Sequence, residues 1–146
     1  MAGSELGPIA GTAKTVKIKG KEYKVSPLTI DDLAEFELVV REERNRALLR
    51  ALEGSNLEDS LLAEAIGAAA AKPVSLRDID KNMGSMIGVR FLLWCALKKN
   101  HPEVKLMEMG LLIDMDNFEE AAAIVAELGG KATKKAKNAK RGQGTK

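Results

Sequence analysis

Two side chains could act as a nucleophile and a base: Cys95 and His101, the one cysteine and the one histidine of this 146-residue chain. Cys95 lies in the apolar run Met86–Leu97, where burial raises the pKa of a thiol and makes it unreactive. His101 precedes Pro102 and is expected in the loop that follows a helix. We therefore expect no catalytic residues. A single cysteine also excludes an internal disulfide and a multi-thiolate metal site.

A second candidate for chemistry is an oxygen-rich stretch. Asp114, Asp116 and Asn117 place three potential calcium ligands close together in the sequence. An EF-hand loop, however, needs Gly at its sixth position and Glu at its twelfth. Counted from Asp114, these positions hold Glu119 and Val125, so the pattern fails. Helix capping explains Asp116 better, and we expect neither a metal ion nor another cofactor.

The elements that would position these residues begin with a β-hairpin. Apolar and charged residues alternate over residues 16–19 and again over residues 22–25. Gly20 and Lys21 lie between the two runs, and Gly20 is suited to the first central position of a tight turn. An isolated hairpin is marginally stable in water, so its apolar face should pack on the helices that follow.

Helical periodicity and capping residues predict about five helices after the hairpin. The most apolar segment, Met86–Leu97, should be the central and most buried helix. The first helix has an apolar stripe formed by Leu33, Phe36, Val40, Ala47, Leu48, Ala51 and Leu52. A long helix is predicted from Thr29 to Gly54 with a Thr29/Asp32 capping box, followed by a second helix that Ser55 or Asn56 caps and Pro73 stops. One or two helices are predicted over Ser75–Asn100, with a break near Asn82–Gly84. A short helix over Leu106–Ile113 and a last helix, which an Asp116/Glu119 capping box opens and which reaches Leu128, complete the prediction.

These elements predict a mainly α fold: an N-terminal β-hairpin followed by a helical bundle. We expect a flexible arm over residues 1–14, a single domain over residues 15–130 and a disordered basic tail over residues 131–146. Seven of the 23 basic residues and none of the 21 acidic residues lie in that tail, so the domain itself is acidic. No run of 18 uncharged apolar residues and no secretory signal is present, and we expect no membrane partner.

Two stretches carry a more specific pattern. Residues 17–37, KIKGKEYKVSPLTIDDLAEFE, lead from a charged hairpin through Pro-Leu-Thr into an acidic helix start. Residues 91–125, FLLWCALKKNHPEVKLMEMGLLIDMDNFEEAAAIV, contain an apolar helix, a Lys-Lys-Asn-His-Pro-Glu-Val exit, a short helix and Asp-Asn-Phe-Glu-Glu before the last helix. Over about residues 15–130 the chain resembles the tail assembly chaperones of long-tailed bacteriophages. It departs from that pattern at Lys105, where such proteins usually have a Thr or Ser helix cap.

The resemblance implies a protein made in the cytoplasm of the infected host cell and absent from the mature virion. Such chaperones bind the tape measure protein, keep its long helices soluble and help to recruit tail tube subunits. Self-association is a further possibility. The chain resembles the shorter of two forms that ribosomal frameshifting produces in many such systems.

A chaperone of this kind needs exposed apolar surface, and methionine adapts to varied partners. Met86 is expected to fill the core, whereas the core and partner interpretations of Met107 and Met109 are balanced. The predicted partner-binding residues are Met83, Met107, Met109, Met115 and Phe118.

Two other functions fit the sequence. One is a structural neck or tail completion protein that stays in the virion. The other is a nucleic-acid-associated protein that uses the tail, although the tail has no aromatic residues for base stacking and we do not expect specific binding. The basic tail residues are Lys131, Lys134, Lys135, Lys137, Lys140, Arg141 and Lys146.

Overall fold

In a computed structural model of the chain, the structure describes residues 13–129. The first element in this range is the N-terminal hairpin. Strand β1, Lys14–Ile18, pairs antiparallel with β2, Lys21–Val25. The turn lies one residue earlier than predicted, because Ile18 still pairs with Lys21. Its central residues are therefore Lys19 and Gly20, with φ of 51° and 78°, the two positive values that a type I′ hairpin turn requires.

The first helix, α1, spans Ile30–Leu52 and begins with the predicted capping box. Thr29 Oγ1 accepts from the backbone N–H of Asp32, and an Asp32 carboxylate oxygen accepts from the N–H of Thr29. Only the N-terminal half of the predicted stripe is buried, ending at Val40. The second half of the stripe does not reach the core: Leu48 and Leu52 are half-buried, and Ala47 and Ala51 are exposed.

The second helix, α2, spans Asp59–Ala71 and stops before Pro73, as expected. The prediction that Ser55 or Asn56 caps it is wrong. The N–H of Ser55 donates to the carbonyl of Leu52 and so completes the end of α1. Glu58 occupies the N-cap position without a side-chain cap bond.

The predicted break in residues 75–100 is confirmed. Helix α3, Leu76–Met83, is opened by a Ser75/Asp78 capping box, and α4, Met86–Lys98, is capped by Ser85. This division gives six α-helices in the described part of the chain where about five were predicted. Helix α4 is the most buried, with eight buried residues between Gly88 and Leu97.

The chain then passes through a 3₁₀ turn, Leu106–Glu108, into the short helix α5, Met109–Leu112. The last helix, α6, begins at residue 118 and reaches residue 129, the end of the described residues. The predicted Asp116 cap is therefore wrong, and Asn117 precedes the helix. Residues 1–12 of the predicted flexible arm and the whole predicted basic tail, residues 131–146, lie outside the described residues. Lys14, which was assigned to the arm, belongs to β1.

The core is built around α4 and receives the hairpin and α1. Val25, Phe36 and Leu92 are among its fully buried side chains. The rings of Phe36 and Phe91 stack with centroids 6.0 Å apart. Within residues 13–129 no helix is long and apolar enough to cross a membrane.

Candidate functional site

The thiol of Cys95 is fully buried in α4. Burial, reinforced by the negative charge of Asp32, raises the pKa of this thiol to about 12. Its burial was predicted, and a protonated thiol surrounded by core side chains is a packing group.

The imidazole of His101 joins the end of α4 to the hairpin. Its Nε2 accepts from the backbone N–H of Lys24 at 2.9 Å. Its ring meets that of Tyr23 edge-on, with centroids 5.4 Å apart. Nδ1 lies 3.5 Å from a carboxylate oxygen of Glu103. His101 follows the helix as predicted, and its contacts position the hairpin.

A second link at the same end of α4 is an ion pair. Lys99 Nζ lies 2.7 Å from Asp32 Oδ2 and also donates to the carbonyl of Pro27. The Asp32 side chain is 7% exposed. Burial alone would raise the pKa of this carboxyl, but hydrogen bonds from Lys99 and Thr29 and the charge of Lys99 together hold it below its usual value.

The oxygen-rich stretch at residues 114–117 forms a closed turn. Asp114 Oδ1 accepts from the N–H groups of Asp116 and Asn117, and Asn117 Oδ1 accepts from the N–H of Asp114. The pKa of Asp114 is lowered first by the hydrogen bond from Lys19 and then by the backbone donors. Across residues 13–129 no three His, Cys, Asp or Glu side chains form a group that could hold a metal ion.

The predicted partner-binding residues separate into two sets. Met107 and Met115 are 85% and 78% exposed, whereas Met109 is fully buried and belongs to the core. Met83 and Phe118 are half-buried and pack against the core. For Met109, whose core and partner interpretations were balanced, burial shows the core role, and a partner contact stays a prediction.

Met86 departs from expectation in the opposite direction. It was expected to fill the core, but it is 62% exposed. It is the first residue of α4, and burial in this helix begins only at Gly88. Leu111, which the sequence reasoning did not select, is 75% exposed. No sequence signal singled out Leu111, because the helix that contains it is only four residues long.

An open groove of about 370 Å³ lies between the start of α4 and residues 109–118, and the exposed side chains of Met86 and Met115 line it. Met107 and Leu111 are exposed but do not line this groove. The groove is mostly apolar and includes one cation, Arg90, which forms no ion pair with any described residue. We call it the methionine groove; its lining residues are Met86, Arg90, Met109, Gly110, Ile113, Asp114, Met115 and Phe118.

The wall of the methionine groove is held in place by the hairpin turn and by the 114–117 turn. Lys19 Nζ donates to the carbonyl of Leu111 at 2.8 Å and lies 2.9 Å from Asp114 Oδ2. Asn117 Nδ2 donates to the carbonyl of Leu112 at 2.7 Å. A positive φ at Lys19 thus brings a cation from the hairpin to the groove wall. The backbone that carries the apolar side chains of the groove is therefore held by side-chain hydrogen bonds and an ion pair.

Helices α3 and α4 approach each other closely at Gly88. A Cβ atom on Gly88 would overlap the backbone carbonyl of Asn82. Gly88 is therefore required for the sharp corner that presents Met86, although its sequence signal was only that of a weakened helix. Trp94 Nε1 donates to the carbonyl of Val104 at 3.1 Å and fixes the loop that leads to α5.

The basic tail, which supplied the remaining predicted binding residues, lies outside the described residues. Comparison of the chain with protein-family models, with curated proteins and with solved structures finds no match.

Proposed function

We propose that this chain is a binding protein of the tail assembly chaperone type, which uses the methionine groove to hold apolar helical segments of a tape measure protein. The observation that carries the proposal is the exposure of Met86 and Met115, at 62% and 78%, on the lining of one apolar groove. Exposed apolar side chains gathered at one place are typical of binding sites.

The chemistry of the groove suits a client with variable sequence. Methionine is unbranched and polarisable, so it adapts to different apolar side chains. The backbone below is fixed by Lys19, Asp114 and Asn117, which limits the entropy that is lost when a client binds. An adaptable lining on a rigid support suits a protein that holds many segments of one long helical client.

The test is co-expression with the tape measure protein encoded nearby, followed by measurement of its soluble fraction. We expect the wild-type chain to raise that fraction. The double variant Met86→Glu/Met115→Glu should lose the effect, because two carboxylates would stand at the groove. Leu38→Glu is the matched control, since Leu38 is 57% exposed on α1 and does not line the groove.

Two results would overturn the proposal. One is a tape measure protein that is no more soluble with the wild-type chain than without it. The other is an equal loss of the effect for the groove variant and for Leu38→Glu. A chaperone should also be absent from the finished particle, so mass spectrometry of purified virions should detect no stoichiometric amount of this chain.

A further inference from the structure

We infer that a second copy of this chain binds to the helical hairpin, residues 41–72, which comprises the C-terminal half of α1, the connecting loop and α2. This inference does not depend on the proposed function. Its starting observation is that no residue between positions 41 and 72 is buried.

Helix α2 has little support within the single chain. Thirteen residues are near the lower limit at which an isolated helix is stable in water. The hydrogen bonds that hold α2 come from Arg44, which donates to the carbonyls of Ala69, Lys72 and Pro73. These hydrogen bonds hold only the C-terminal end of α2.

The hairpin exposes apolar side chains toward its tip, where α1 ends and α2 begins. Leu49, Leu57 and Leu61 are each between 45% and 49% exposed, and the surrounding residues are rich in alanine. Small residues allow helices to approach closely, and exposed leucines supply the area that a contact would bury.

The charges of the hairpin are complementary between its two helices. From residue 41 to residue 52, α1 carries four arginines and two glutamates, whereas residues 58–71 carry three acids and no base. Arg50 on α1 and Glu58, at the start of α2, form no ion pair with any described residue. Each copy thus has an available cation on one helix and an available anion beside the other.

This complementarity defines the arrangement. Because Arg44 contacts the end of α2, the Arg50 end of α1 lies level with the start of α2. Two hairpins stacked face to face with their tips aligned place α1 of each copy opposite α2 of the other and so bring Arg50 of each copy to Glu58 of the other. A two-fold contact of this kind repeats each pair twice.

The size of the hairpin indicates a weak dimer. Two helices of this length present a face about 20 Å long and about 20 Å wide. This area is below the roughly 800 Å² per partner of a standard interface, so a dissociation constant on the order of micromolar is expected.

The experiment is sedimentation velocity of the full chain from about 5 to 500 µM, a range suited to an interface of this size. We expect a monomer–dimer equilibrium. Leu61→Glu should raise the dissociation constant at least about tenfold, whereas Leu111→Glu, which alters a 75% exposed leucine outside the helical hairpin, should leave it unchanged. Circular dichroism of each variant checks that the helices are retained.

A charge exchange tests the contact without relying on an apolar variant. Arg50→Glu alone and Glu58→Arg alone should each weaken self-association, because each places like charges together. An equimolar mixture of the two variants should form a heterodimer at wild-type strength, since it contains one ion pair of native sign and one of reversed sign and no pair of like charges. A chain that stays monomeric at all concentrations overturns the inference. A dimer that is insensitive to Leu61→Glu and to the charge variants also overturns it.

Discussion

The Asp32–Lys99 pair is the most informative place to perturb the fold, because it joins the start of α1 to the end of α4. Asp32→Asn removes the charge while keeping one side-chain acceptor for the Thr29 N–H. A hydrogen bond to a charged group contributes about 1.5–3 kcal/mol. Since the Lys99 side chain is about one-third exposed, solvent screens part of this energy. We expect the free energy of unfolding at pH 7 to fall by about 2 kcal/mol.

The assay is urea unfolding followed by the fluorescence of Trp94, the only tryptophan. With a slope of about 2 kcal/mol per molar urea, the loss corresponds to a midpoint lower by about 1 M. Asp31→Asn is the control, because Asp31 is an exposed acid in the same helical turn; its effect should stay within about 0.5 kcal/mol.

The stabilisation by Asp32 should decrease at low pH. The pKa of Asp32 is lowered from 3.8 in the folded protein. Its contribution to stability is therefore fully present above that value and is lost as the pH falls through the lower, folded pKa. The difference between wild type and Asp32→Asn should shrink between pH 7 and pH 3. An equal difference at both pH values, or one below about 0.5 kcal/mol at pH 7, would refute the reasoning.

Three further predictions concern the groove and the core. Gly88→Ala should lower the free energy of unfolding by about 1–3 kcal/mol, because its Cβ would overlap a backbone oxygen of α3. Gly110→Ala is the control: the space around the new Cβ is open, so the free energy of unfolding should stay unchanged or rise by up to about 1 kcal/mol. Lys19→Ala should cost under about 1 kcal/mol in urea unfolding, since the ion pair is exposed, yet it should accelerate amide hydrogen exchange over residues 111–117. Cys95 should resist iodoacetamide in the native protein and react once urea unfolds the chain, because its thiol is buried with a pKa of about 12.

Local chemistry accounts for what the sequence predicted well. The Thr29/Asp32 box and its counterpart at Ser75 formed because each pair needs only residues three positions apart. The apolar run of α4 became the core for a similar reason, since a helix that is apolar nearly all round has no face suited to water. These features do not depend on where other elements lie.

What the sequence could not predict depends on distant contacts. Periodicity placed Val40 and Leu48 on one face of α1, but it could not reveal that the core ends near Val40. The composition shows a cluster of methionines, but packing decides which of them face outward: Met109 is fully buried in the core, whereas Met86, the first residue of α4, is exposed. The Asp114 turn was missed because its partner, Lys19, is far away in sequence.

The two exposed apolar surfaces have no residue in common: the methionine groove is lined by residues 86–118, and the helical hairpin spans residues 41–72. A dimer formed through the hairpins would leave both grooves open and would bind one long client at two places. Linked sites of this kind raise overall affinity by roughly 10²–10⁴ over a single site. Leu61→Glu should therefore weaken binding to a long tape measure segment by at least about tenfold, while its affinity for a peptide that spans only one groove stays unchanged. Equal weakening for both ligands would show that Leu61 contacts the client directly, and no weakening for either would show that the two surfaces act independently.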